Sequence, residues 1–208
     1  MKPVLLLGGG ANEIHPFAGL QPLYAQIIQE QGVDVISSED PDSLCSEHIR
    51  GFRAVVCCAT NLDFSESQYS GLETALGRGE IAYIGLHAAA TCGNTTPAYT
   101  RMLGGRFLAH PEIGPEIQVR CVHREASEGI LNGVADFCIA DELYLMEEFD
   151  TGRHLLESEY DGFPRPLAWI KPFGMGRVFY SALGHSEAHI SHPMLRRFVG
   201  NGIAWALG

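Results

Sequence analysis

Imidazole and carboxylate side chains placed at the ends of apolar runs are the residues of this sequence that could do chemistry. His87 follows the run Ile81-Ala82-Tyr83-Ile84-Gly85-Leu86, Glu142 sits in Asp141-Glu142-Leu143-Tyr144, and His185 opens His185-Ser186-Glu187. Imidazole exchanges protons near neutral pH, and a carboxylate partner tunes it, so these three are the candidate general acid–base residues. Imidazole and carboxylate also bind divalent metals such as zinc, and the set open to a metal is His87, His110, Glu142 and His185. Substrate contacts are expected from Asn12 and His15 after the first strand, and from His110, Tyr144 and Glu187. Each residue also has a purely structural reading. His15, His110 and His192 precede proline, a common loop position. Glu142 and Tyr144 suit an edge strand, and His189 and His192 can flank a helix start. No compact ligand motif such as H-E-x-x-H is present.

These residues need a scaffold, and the first half of the chain supplies its pattern. Val4–Leu7 runs into Gly8-Gly9-Gly10, and a helix is expected from Leu20 to Gln31 on the spacing of Leu23, Tyr24, Ile27 and Ile28. Val33–Ile36 reads as the second strand. Asp40-Pro41-Asp42-Ser43 opens a loop and a short helical turn, and Ala54–Cys58 is the third strand. Ser65 and Gln68 form a candidate capping box for a helix ending at Leu76, before Gly77 and Gly79. Ile81–Ile84 is the fourth strand, with Gly85 expected to give a tight or positive-φ turn that throws His87 into the open. The alternation argues for a parallel sheet covered by helices on both faces. Ligands bind such sheets at the carboxyl ends of their strands, where His15, His87 and His185 are all expected.

After Ala90 the pattern changes. Thr95–Met102 reads as a short helix. Strand-like runs follow at Ile117–Val122, Phe137–Ala140, Leu143–Met146 and His154–Leu156, separated by turn signals at Glu128-Gly129, Asp150-Thr151-Gly152 and Asp161-Gly162. Pro166–Lys171 and Gly176–Ala182 read as a hairpin, and a helix from about Pro193 to Leu207 places Leu195, Phe198, Val199, Gly202, Ile203 and Ala206 on one face. This is an antiparallel extension of the sheet. No linker or repeat appears, so residues 1–208 read as one domain.

Composition excludes several partners. Net charge is −11, from 25 acidic and 14 basic residues, with no basic stripe, which argues against nucleic acid or an anionic membrane. No window of about 18 apolar residues exists to span a bilayer, and the amino terminus is too short in apolar residues for a signal peptide. Six cysteines without C-x-x-C spacing read as reduced thiols of a cytoplasmic protein. The glycine loop lacks G-x-G-x-x-G spacing and no P-loop is present, so no nucleotide cofactor is expected. A homo-oligomer is left open.

Several stretches, in order, resemble the ThuA-like (trehalose utilisation) family. They are Gly85-Leu86-His87-Ala88-Ala89, Leu103-Gly104-Gly105-Arg106-Phe107 with His110-Pro111, Asp141-Glu142-Leu143-Tyr144, Pro166-Leu167-Ala168-Trp169, Gly174–His185 and Gly202-Ile203-Ala204-Trp205-Ala206. The resemblance implies a flavodoxin-like, class I glutamine amidotransferase-like α/β sandwich of three layers, and a role in catabolism of disaccharides or their 3-keto forms. Relatives carry a His-Pro-[Ile/Val]-Thr turn where this chain has Arg124-Glu125-Ala126-Ser127-Glu128-Gly129, so any role of that histidine is lost or moved here.

Three readings follow. The first is an enzyme, a lyase, isomerase or hydrolase, acting on a sugar derivative. The second is a sugar-binding or regulatory module with Trp169, Phe173 or Tyr180 as an aromatic platform at the pocket rim. The third is a metal-dependent hydrolase. A glutaminase needs a cysteine at the elbow where this chain has His87, and imidazole does not replace a thiolate there. Cys92, five residues on, is not in place to substitute. The purified protein is therefore expected to release no ammonia from glutamine in a coupled dehydrogenase assay.

Overall fold

The computed structural model describes residues 2–112, 116–150 and 152–208. Of the expected turn at Asp150-Thr151-Gly152, Thr151 lies outside the described residues. The strands are β1 (Val4–Leu7), β2 (Val35–Ser38), β3 (Ala54–Cys57), β4 (Ala82–Leu86), β5 (Gly105–Ala109), β6 (Ile117–Cys121), β7 (Phe137–Ile139), β8 (Leu145–Glu148), β9 (Arg153–Tyr160), β10 (Phe163–Phe173) and β11 (Gly176–Ser181). The helices are α1 (Phe17–Gln29), α2 (Ser46–Ile49), α3 (Glu66–Gly77), α4 (Pro97–Leu103), α5 (Glu187–Ile190) and α6 (Pro193–Leu207).

Nine strands form one sheet in the order β2-β1-β3-β4-β11-β10-β9-β6-β7. From β2 to β11 neighbouring strands are parallel, and beyond β11 they are antiparallel. The chain therefore has the expected α/β architecture, a mostly parallel sheet with an antiparallel extension. Strand alternation divides the core into two layers. Val4, Leu6, Val56 and Ile84 pack with α1 and α6, whereas Leu5, Leu7, Val55 and Tyr83 pack with α3 and α4.

Local signals placed several elements well. The Ser65–Gln68 capping box closes on both sides, with α3 beginning at the next residue. Helix α6 has proline at its start and buries the six residues expected of it. The hairpin between β10 and β11 turns at Gly174-Met175, between the paired Phe173 and Gly176.

Other expectations need correction. Strand β2 starts two residues later than its apolar run. It lies at the sheet edge, where one face of pairing is missing and Ile36 is half exposed, so hydrophobicity does not fix its register. Strand β8 begins at Leu145 because Leu143 and Tyr144 turn inward before it. Gly105–Ala109 pairs with β8 as a separate two-stranded ribbon that the sequence pattern did not signal. Gly85 is not a turn residue. It lies inside β4, and a Cβ there would meet Leu103 Cδ1 at 2.8 Å and Tyr180 Cδ2 at 3.1 Å. Its smallness admits neighbouring side chains, and the positive φ falls at His87 instead.

The loop after β1 is pinned to the loop after β3 through Gly10. Gly10 and Thr60 form an isolated parallel bridge, and Ala11 N donates to Thr60 O at 2.8 Å. Gly10 has φ +83°, and a Cβ would stand 1.9 Å from Thr60 O. Gly10→Ala thus meets both backbone strain and a backbone clash, each costing roughly 1–3 kcal/mol. A destabilisation of at least about 2 kcal/mol is expected in urea unfolding.

Candidate functional site

The carboxyl edge of the parallel strands carries a compact group of titratable side chains. The loop after β1 brings His15, the residue after β4 is His87, and the segment after β11 brings His185. Glu142 enters from the connection between β7 and β8. One donor atom from each of these four lies within 4.8 Å of all the others. His15, His87 and Glu142 are buried, and His185 is partly exposed.

His87 is not thrown into open solvent, as the sequence suggested, but is 2% exposed. Leu86 ends β4 and His87 takes φ +41°, opening a 3-10 turn over His87–Thr91. A non-glycine residue rarely adopts that conformation, and such strain concentrates at functional sites. Two hydrogen bonds hold it there. The Tyr180 hydroxyl donates to His87 O at 3.0 Å, and His87 Nδ1 donates to Ala182 O at 2.6 Å. A carbonyl only accepts, so Nδ1 carries a proton and Nε2 is the atom turned toward the cluster.

His87 Nε2 stands 3.1 Å from Glu142 Oε2 and 3.2 Å from His15 Nε2. His185 Nδ1 is 2.8 Å from the same Glu142 oxygen and 3.0 Å from His15 Nε2. His15 Nδ1 is fixed on its far side by Thr60 Oγ1 at 2.9 Å. His110 reaches the other carboxylate oxygen, with Nε2 at 3.4 Å from Glu142 Oε1, while its Nδ1 donates to Pro111 O.

The charges follow from these contacts. Burial opposes ionisation of Glu142, yet hydrogen bonds from His185 and His87 hold its carboxyl well below the usual carboxylate range. The hydrogen bond to Glu142 raises His185 despite burial. His15 is pushed down to about 3 by burial first, then by the neighbouring His87 and His185. The edge therefore holds one ionised carboxylate, one histidine biased toward the cation and one histidine kept neutral.

A family model described as trehalose utilisation (ThuA) matches residues 4–206. The chain belongs to the ThuA family. Comparison with curated proteins finds no match. Among solved structures, a ThuA-like protein from Parabacteroides merdae superposes with a TM-score of 0.80 at 18% identity, covering 99% of this chain and 90% of that one. A ThuA-like protein from Bacteroides uniformis gives 0.81 at 16% identity, covering 99% and 91%. A cold-adapted β-galactosidase from Rahnella sp. R3 gives 0.65 at 15% identity, and there the likeness covers 96% of this chain but 30% of the enzyme. These likenesses are of fold.

Within this ThuA-family chain the remaining site candidates separate. Asn12 turns away from the cluster, donating to Glu39 Oε2 at 2.7 Å and accepting from Phe17 N at the start of α1. Tyr144 is a wall residue, its ring 4.3 Å from the His87 ring and 4.4 Å from Phe107. Glu187 shares with Ile14, Pro16, Leu20 and His185 a hollow of about 320 Å³ that opens beside the cluster. Trp169 and Tyr180 are fully buried, so neither is the rim platform the binding-module reading asked for. Cys92 is also fully buried, and its thiol donates to Ala59 O at 3.1 Å. Burial pushes that thiol up, away from the reactive thiolate.

Sequence reasoning grouped His110 with the metal-binding candidates and left His15 to the substrate. The distances put His15 inside the four-atom cluster and His110 at its rim. Two further residues were given no role of their own. Thr60 orients His15, and a polar residue at the end of an apolar strand was its only signal. Asp141, 2% exposed, accepts from Gly184 N at 2.7 Å, His185 N at 3.2 Å and Glu142 N at 2.8 Å, and so ties two of the four cluster residues together. Asp141→Ala strands all three donors. Each such loss costs roughly 1–3 kcal/mol, so destabilisation of at least about 3 kcal/mol is expected in denaturant titration. Asp141→Asn keeps an acceptor oxygen and is expected to lose less.

Proposed function

We propose that the chain is an enzyme of carbohydrate catabolism that acts on a keto-sugar derivative at the His15–His87–Glu142–His185 cluster. One observation carries this reading: three imidazoles and a carboxylate converge at the sheet edge, with a fourth imidazole, His110, against them and open to solvent. The family description, trehalose utilisation, supports a sugar as substrate and a 3-keto-disaccharide as the first compound to test. The six free cysteines favour a cytoplasmic setting.

The chemistry such a site suits is proton transfer next to a carbonyl. A base removes the proton from the carbon beside the keto group, and the C–H electron pair moves into the C–C bond as the carbonyl π pair moves onto oxygen. Positive charge beside that oxygen stabilises the enediolate. In this reading His185, the one histidine of the cluster biased toward the cation, supplies the positive charge. His110 is the proton carrier, because its Nδ1 is committed to Pro111 O, its Nε2 faces Glu142 Oε1, and its side chain is 36% exposed. The proton it accepts is shared with Glu142 Oε1. The bond broken next, whether glycosidic or none, decides between lyase and isomerase.

The test follows a 3-keto-disaccharide by proton NMR in D₂O. The wild type is expected to wash deuterium into the carbon beside the keto group and to form product. His110→Ala should slow exchange by roughly 10²–10⁴-fold, the usual worth of a positioned proton-transfer group. Its melting temperature should barely move, since the side chain is partly exposed. Binding without exchange in wild type would sink the enzymatic reading.

A further inference from the structure

The four central donor atoms pose a problem that protons alone do not solve. They form a ring of close contacts: His15 Nε2 to His87 Nε2 at 3.2 Å, His87 Nε2 to Glu142 Oε2 at 3.1 Å, Glu142 Oε2 to His185 Nδ1 at 2.8 Å, and His185 Nδ1 to His15 Nε2 at 3.0 Å. Four contacts need four donated protons. The carboxylate brings none, and each ring nitrogen brings at most one. Some contacts must therefore oppose lone pair to lone pair or proton to proton, or share one proton, in a buried setting, which is costly. A ring nitrogen that holds a proton has no lone pair left to accept one, so at most two of the four contacts are ordinary hydrogen bonds.

We propose that this cluster is a binding site for one divalent transition metal of the zinc class, held by His15 Nε2, His87 Nε2, Glu142 Oε2 and His185 Nδ1. Zinc binds imidazole nitrogen at about 2.0–2.1 Å and carboxylate oxygen at about 2.0–2.2 Å, which sets neighbouring ligand atoms on one ion roughly 3 Å apart. The ring distances match that spacing. A single cation serves all four contacts at once. The outer contacts are those of ligating histidines, whose far nitrogen is held by a carbonyl or hydroxyl. His87 Nδ1 donates to Ala182 O, and His15 Nδ1 is at hydrogen-bond distance from Thr60 Oγ1. Three nitrogens and one carboxylate oxygen suit zinc, iron, cobalt or nickel better than calcium or magnesium, which prefer all-oxygen shells.

The inference deepens the enzymatic reading, because a metal there takes the place of the His185 cation as the positive charge that would polarise a keto oxygen. His110 stays outside the ligand set as the proton carrier.

The experiment reads binding, so it stands apart from turnover. Tag-free protein is stripped with chelator and titrated with Zn²⁺ in a calorimeter. One ion per chain is expected, at micromolar affinity or tighter. His87→Ala and His185→Ala should each weaken binding by at least about tenfold, while His110→Ala stays within about threefold. His185 is the most exposed of the four, so His185→Ala guards against a variant that fails to fold, and circular dichroism melts check both. Co²⁺ should give a visible d–d band in wild type that His185→Ala loses. Absence of Zn²⁺ and Co²⁺ binding by wild type would overturn the proposal. So would unchanged affinity in both folded variants, which would place the ion on surface histidines. Metal binding without keto-sugar turnover would sink the enzymatic reading and leave the metal site standing.

Discussion

A carboxylate taken out of water must find positive charge, and the carboxyl edge of this sheet is built around that need. Glu142 is 6% exposed and ionised, and one of its oxygens faces His87 and His185 while the other faces His110. Every neighbouring element contributes to meeting it. Strand β4 ends so that His87 turns inward, the segment after β11 brings His185 to the same edge, and Asp141 fixes the backbones of both Glu142 and His185. Removing any one of these would leave a buried charge or a buried donor without a partner, which is the costliest kind of local error.

The scaffold was largely legible in the sequence, because its strands are buried on both faces and read as plain apolar runs. Val4–Leu7 and Ala54–Cys57 are such runs, and every residue in them is buried. Helix caps and turns were legible for a local reason: Ser65–Gln68 and Gly174-Met175 each make their own structure within a few residues. What was not legible depends on pairing. Strand β2 has a neighbour on one side only, and the β5–β8 ribbon joins segments some forty residues apart.

The candidate site was legible in residue type and less so in arrangement. Strand ends are the expected place for ligands in a parallel sheet, and the histidines at the ends of β4 and β11 were read from that rule. His15 was placed on the correct edge but not inside the cluster, since its partner Thr60 lies 45 residues away. The elbow histidine was recognised, but its strain was credited to Gly85. In the structure Gly85 makes room for Leu103 and Tyr180, and the Tyr180 hydroxyl then holds the strained carbonyl of His87. A glycine near a candidate site residue can thus serve packing while the conformational cost falls on that residue.

The contact between His15 and His185 spans 170 positions of a 208-residue chain. The cluster therefore has no local precursor. During synthesis His15 and Thr60 can be in place long before β11 exists, and His185 arrives only when nearly all of the chain has been made. Contacts of such long range are the slow ones to form. The four-sided centre cannot close until β11 takes its place between β4 and β10, and a chain interrupted before that strand would carry His15, His87 and Glu142 without the His185 that completes the cluster.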